Sequence, residues 1–341
     1  MAENSTVHSV VPSEELSGHS DDEGDLPEHP SGDDASTSSS SEERRSTTSL
    51  SKENIEQIVE NGRRYANFTY YMPNDEAEET RLNIFHQLYL LILDGRVTKA
   101  PIRRDVKRIL DVGAGTGDWA IGMAELFPHA QIIATDINMF DMTSLPPNVS
   151  FQIDDAEDEW TFTEPFDLIH IRGMMGAFDD WDQVYCEAYE HLKDGGILEI
   201  SDYDSKAVLD SVSGPYTNML ASALISAADE SGRPYNINHL KRSALEAAGF
   251  SDIRTTTINV PIGTWPTDPR VKTMGKMWLI CVLEGLEAWG LRLLTRHMGW
   301  KTKDFRDLCN KVKRELMEPK NEGCTSFHFV LAQKHHLETT P

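Results

Sequence analysis

The chain has 341 residues, 39% of them apolar, and a formal net charge of −24, which suits one large domain with a tail or two small domains. So acidic a balance argues against direct nucleic acid binding, which needs a basic face. No apolar run is long enough to cross a membrane, and Met1 to Val11 lacks the cationic start and apolar centre of a signal peptide, so neither membrane spanning nor secretion is expected.

Residues 1–48 are rich in Ser, Asp and Glu, with twelve acids against Arg44 and Arg45. A segment with so few large apolar side chains cannot offset the entropy of ordering, so a disordered acidic tail is expected, with a possible role as a protein-interaction segment. Ser20, Ser39 and Ser40 each have an acid three residues on, a pattern that acidophilic kinases accept. The composition changes after it: residues 49–335 read as the folded domain and 336–341 as a second tail.

From Lys52 the pattern predicts a short helix carrying Ile55, Ile58 and Val59, followed by Arg63, Arg64, Tyr65, Tyr70 and Tyr71 before Pro73. A second helix from about Glu76 puts Leu82, Phe85, Leu88, Tyr89 and Ile92 on one face and ends at Asp94-Gly95. Together, 52–95 form a helical cover in front of the first strand, where Tyr65 and its neighbours either line the cover or simply pack.

Ile109 to Gly117, Ile-Leu-Asp-Val-Gly-Ala-Gly-Thr-Gly, reads as a buried strand ending in a carboxylate and a glycine-rich turn. Trp119, Ala120, Met123, Ala124 and Phe127 follow at helical spacing up to Pro128, and Ile132 to Ala134 form a second strand that ends at Asp136. Strand, turn, helix, strand and acid make one βαβ unit. A dinucleotide fingerprint from Gly113 requires glycine at position 118, where this chain has Asp118. Asp111 would repel a pyrophosphate, whereas it would attract the ammonium and sulfonium of S-adenosyl-L-methionine.

Val149 to Ile153 predicts a third strand, Phe166 to Ile171 a fourth and Ile197 to Ile200 a fifth, with a helix from Tyr185 to Leu192. Beyond these come helices from about Gly214 to Ala228 and Ile237 to Ala248, a strand at Ile253 to Val260, a helical stretch from Pro269 to Met317 and a last strand at Thr325 to Ala332. The fold class this predicts is α/β: a doubly wound sheet with one antiparallel edge strand, an N-terminal helical cover and a helical insertion before the last strand. Residues 105–204 form its cofactor-binding core and 205–335 its substrate side.

The run Asp111 to Gly117 resembles motif I of class I S-adenosylmethionine-dependent methyltransferases. With Asn61 to Tyr65, Leu145 to Val149, Asp154-Asp155 with Trp160, Phe166 to Arg172 and Leu192 to Gly196, it resembles the fungal LaeA-like methyltransferases over about residues 55–335. The resemblance implies a seven-stranded methyltransferase sheet and S-adenosyl-L-methionine as cofactor. It covers both enzymes of secondary metabolite biosynthesis and global regulators, so a small-molecule methyltransferase and a nuclear regulator both stay open, the first cytoplasmic.

For cofactor binding the candidates are Asp111 for the amino group, Gly113, Gly115 and Gly117 for the methionine part, Asp136 for both ribose hydroxyls, and Arg172 and Tyr65. The resemblance adds Asp155 with the Ala156 amide as an adenine clamp, Asp154 being the adjacent choice. His170 is a weak candidate base, a hydrogen-bonded core histidine being the stronger reading. Asp179-Asp180 and Asp202 with Asp204 lack a histidine ligand, so no metal is expected and loop solvation accounts for them. Cys186, Cys281, Cys309 and Cys324 have no metal-site or C-x-x-C spacing and read as reduced thiols. Met274, Met277, Trp278, Trp289, Met298 and Trp300 would suit an apolar substrate lid within 264–318, about a third of them seeing substrate.

Overall fold

The computed structural model describes residues 58–67, 70–138, 140, 145–204, 214–318 and 320–334. The acidic tail with its three serines, Ile55 and the last tail residues lie outside them.

A seven-stranded sheet holds β3 (Arg108–Val112), β4 (Gln131–Asp136), β5 (Val149–Ile153), β6 (Phe166–Arg172), β7 (Leu192–Tyr203), β8 (Phe250–Pro261) and β9 (Cys324–Lys334). Their order across the sheet is β5-β4-β3-β6-β7-β9-β8. β5, β4, β3, β6 and β7 are parallel, with Asp111 level with Ala134 on one side and His170 on the other. At the β8 edge the sheet turns antiparallel, because β9 returns between β7 and β8 and pairs antiparallel with both. The parallel strands are apolar on both faces, as a sheet covered by helices requires: Ile109, Leu110, Leu168 and Ile169 have no exposed surface.

Helices α1 (Glu76–Ile92), α2 (Asp118–Leu126), α3 (Trp181–His191), α4 (Pro215–Glu230), α5 (Arg242–Ala247), α6 (Pro269–His297) and α7 (Thr302–Leu316) pack around it. Asp75 caps α1 by accepting from the Glu78 amide at 3.2 Å, and Asp94 and Gly95 leave the helix with positive φ. The long helical stretch is thus two helices, broken after His297 and restarted at Thr302. One apolar cluster joins α1, α4, α6 and α7 to β8 and β9; another fills the opposite face under α3 and α5.

The expected first helix is not there. Ile58–Glu60 (β1) and Arg63–Tyr65 (β2) pair as an antiparallel hairpin around Asn61-Gly62, both residues at positive φ. Asn-Gly favours a tight primed turn because both central positions need left-handed backbone, and that preference outweighs a three-residue apolar stripe. α6 holds the hairpin: Arg292 and Arg296 donate to the Glu60 carboxylate at 3.1 and 2.6 Å. Arg292 also donates to the Asn67 and Tyr70 carbonyls, each at 2.6 Å. A single buried guanidinium therefore fixes the chain on its way into the cleft described next.

Candidate functional site

The carboxyl ends of β3, β4, β5 and β6 open into a cleft of about 1380 Å³, mouth included, where open α/β sheets place their ligands. Its floor is the β3–α2 turn. Gly113, Ala114, Gly115 and Thr116 line it, and a Cβ on Gly113 would stand 2.4 Å from the Met174 sulfur, so only glycine lets main chain and loop come so close. Gly117 does not line the cleft. With φ at 77° it is the turn residue that starts α2.

Asp111 is 2% exposed and lines the cleft. Its Oδ1 accepts from His170 Nδ1 at 2.8 Å, and its Oδ2 is buried with no hydrogen-bond partner. A buried carboxylate oxygen without a donor is costly, and here it belongs to a side chain that lines the cleft. His170 lies flat on Trp119, ring centroids 3.7 Å apart and planes 2° off parallel. Its Nδ1 is committed to Asp111, so it orients that carboxylate instead of serving as an unattached base.

Asp136, at the end of β4, accepts from the Gly115 amide through Oδ2 and from the Asn138 amide through Oδ1, both at 2.8 Å. Each oxygen keeps a second acceptor direction. Burial outweighs those two donors and lifts its carboxyl to about 6. Asp155 accepts from the Glu157 amide at 3.1 Å, Ala156 follows it along the cleft wall, and burial raises the neighbouring Asp154 as well.

Arg172, at the end of β6, sits 4.8 Å above the Tyr89 ring and donates to His86 Nδ1 at 3.2 Å. Burial, then the Arg172 charge, push His86 down to about 3, so it accepts as a neutral ring. The other arginines of the cleft have carboxylates: Arg81 grips Glu78 at 2.9 and 2.6 Å, and Arg233 reaches Glu157 at 2.7 Å. Arg172 has no ion pair with a carboxylate among the described residues.

Tyr65 is absent from the cleft walls. It is fully buried beneath Arg292, whose guanidinium carbon is 4.1 Å from the ring, and its hydroxyl has no partner. The hairpin turns it inward, and Tyr70 and Tyr71 line the cleft in its place. Of the six aromatic and methionine residues expected in a lid, Trp289 alone lines the cleft; Trp278 and Met274 are core. Asp202 is not loop solvation: it is buried at the end of β7, 3.4 Å from the buried ring of His239. Asp180 caps α3. Among the described residues no group of three or more side chains could hold a metal ion, and no helix is long and apolar enough to cross a membrane.

The sequence reading missed Tyr203, Arg233, Tyr235 and Glu78, all on the cleft wall. They come from β7, α1 and the segment after α4, and no short motif marks them.

The model of a methyltransferase domain matches residues 84–255. The methyltransferase pytC of Aspergillus terreus is 33% identical over 296 residues, covering 85% of this chain and 91% of that protein. The secondary metabolism regulator LAE1 of Cochliobolus heterostrophus is 36% identical over 289 residues, 81% of this chain and 94% of its own. The probable methyltransferase tdiE of Emericella nidulans is 29% identical over 288 residues, with shares of 83% and 90%. The family expected from motif I and its companions is the one found: the chain belongs to the methyltransferases, and most of its length is shared with these fungal members.

Proposed function

We propose that the cleft binds S-adenosyl-L-methionine and that the protein methylates a small molecule of fungal secondary metabolism. The observation that carries this reading is Asp111 Oδ2, a buried acceptor without a donor beside a glycine floor; an ammonium group would satisfy it. The donor set fits the rest of the cofactor. Asp136 has acceptor directions left for two ribose hydroxyls, Asp155 with Ala156 would hold adenine, and Arg172 would meet the methionine carboxylate. When bound, the cofactor supplies an electrophilic methyl group on a positively charged sulfur. The protein's work is then to exclude water and hold the acceptor in line, an effect that can supply roughly 7 to 11 kcal/mol.

The aromatic wall of Tyr71, Phe85, Tyr203, Tyr235 and Trp289 supports a planar apolar acceptor. The similarity to LAE1 favours a second reading: a nuclear regulator that needs the cofactor and turns over no small molecule. Calorimetry with the purified chain tests the cofactor, and absence of heat with both S-adenosyl-L-methionine and its demethylated product would sink it. Metabolite profiling of a strain lacking the gene separates the two readings. One compound accumulating lighter by a methyl group supports the enzyme, working in the cytoplasm; broad loss of unrelated products supports the regulator.

A further inference from the structure

The acceptor side of the cleft is well supplied with hydrogen-bond donors and poor in bases. Tyr71 is 4% exposed, and its hydroxyl interacts with that of the neighbouring Tyr235. Its own proton meets only the Met175 carbonyl at 3.5 Å, beyond the usual range for O–H donors. The ring is also held firmly: Arg292 clamps the Tyr70 carbonyl next to it, and the Tyr70 and Tyr235 rings pack against it at 5.6 and 5.7 Å between centroids. Burial keeps both phenols protonated, their acidity far below that of a free tyrosine.

Bases are another matter. Among the described residues that line the cleft, the carboxylates away from the β3–β5 end are Glu78 and Glu157. Both oxygens of Glu78 are taken by Arg81, and Glu157 is taken by Arg233 and by the Asp179 and Asp180 amides. His170 is committed to Asp111. A neutral alcohol or an ammonium-form amine must lose a proton when methylated, and no unengaged group on this side would take it.

Resting on the methyltransferase reading above, we infer that the acceptor is an acidic enol or phenol that enters as its anion, with the ionised oxygen held by the Tyr71 hydroxyl. Its lone pair forms the new O–CH₃ bond while the S–CH₃ bond breaks and leaves its electrons on sulfur. A sulfonium and an oxyanion become a thioether and an ether, and no proton moves. In a cleft walled by aromatic rings the two opposite charges attract more strongly than in water, so the pair is drawn together before reaction.

The test uses the purified full chain with methyl-labelled S-adenosyl-L-methionine and three probes of similar size: 2-hydroxy-1,4-naphthoquinone as acidic enol, 2-naphthol and 2-naphthylmethylamine. At about pH 7 the enol should be methylated at least about tenfold faster than either other probe, and the 2-naphthol rate should climb about tenfold per pH unit with that probe's own ionisation. The quinone anion is coloured, so its binding is read without turnover. Tyr71→Phe should weaken it about tenfold, as loss of a hydrogen bond to a charged group does, and leave cofactor affinity unchanged. If Tyr71→Phe does not fold by circular dichroism, Tyr235→Phe takes its place with a smaller loss in the same direction. Equal rates for amine and enol, a basic limb at one pH for every probe, anion binding untouched by the Phe variant, or cofactor binding with none of the probes bound or methylated would each overturn the inference. Absence of cofactor binding itself would instead remove the methyltransferase reading beneath it.

Discussion

Asp136 gives a pH dependence whose sign is fixed by its surroundings. Burial lifts its carboxyl from 3.8 to about 6, so ionising it in the fold is about 3 kcal/mol less favourable than in the unfolded chain. A group raised in this way contributes stability that is complete below about pH 4 and is lost as pH rises through about 6. In the proposed ribose-binding role of Asp136, bound cofactor would reverse the preference. Two ribose hydroxyls need acceptors, and a protonated carboxyl offers one of them a competing donor. Affinity for S-adenosyl-L-methionine should therefore be level above about pH 7 and fall about tenfold per unit below about pH 6.

Asp136→Asn separates this from every other titrating group. The amide keeps one acceptor oxygen and turns an N–H₂ toward one of the two amides of Gly115 and Asn138, which now donate to the carboxylate. The variant should bind cofactor about ten- to a hundredfold more weakly at about pH 7.5, as expected when a charge-assisted hydrogen bond is lost. Its residual affinity should not fall between about pH 7 and 5. In urea unfolding without ligand, the stability difference between wild type and variant should shift by about 3 kcal/mol between about pH 4 and 7, in the variant's favour at the higher pH. Calorimetric titrations across this range decide the matter. Wild-type affinity that stays flat to pH 5, or an Asn variant that keeps the acid limb, would refute the reasoning.

Asp111→Asn should keep an acceptor for His170 and lose the charge that faces the cleft, so cofactor affinity measured by calorimetry should fall by about 2 kcal/mol, with the melting temperature little changed. Arg292→Met removes donors to Glu60, Asn67 and Tyr70 together; urea unfolding should show a loss of about 3 kcal/mol, and limited proteolysis should cut near residues 58–70. Tyr65→Phe deletes a buried hydroxyl that has no partner, so stability should hold or rise by up to about 1 kcal/mol and cofactor affinity should not change. A clear loss of cofactor affinity in that variant would return Tyr65 to the site. Gly62→Ala places a side chain where φ is 80° and should cost about 1 kcal/mol in the same unfolding assay.

What the sequence discloses of this site is what lies close together along the chain. Asp111, Gly113 and Gly115 fall within one strand and its turn, and Asp136 follows one helix and one strand later, so the βαβ period alone brings them to one end of the sheet. The parallel strands are equally legible, because burial on both faces leaves continuous apolar runs such as Ile132 to Ala134. Tyr65 shows where this stops. It sits beside Tyr70 and Tyr71 in the sequence and resembles them in chemistry, yet the direction of its ring depends on whether residues 58–65 form a helix or a hairpin, and one Asn-Gly pair decides that.

The far wall of the cleft is illegible for a different reason. Tyr235 meets Tyr71 and Trp289 approaches Arg81 across separations of more than a hundred residues, and these contacts exist only because α1, α4 and α6 share one apolar cluster. Aromatic residues at helical spacing signal burial without saying which ring faces a ligand. Asp202 is the converse case. Beside Asp204 it reads as part of an acidic loop, but its strand is central and covered, so the fold buries it against His239. A lone carboxylate tolerates such a place only with a partner that can share or offset its charge, and that partner comes from a short turn before α5 with no sequence pattern linking the two. The cofactor end of this cleft can thus be read from local order along the chain, while the acceptor end, which sets what is methylated, is a product of tertiary packing alone.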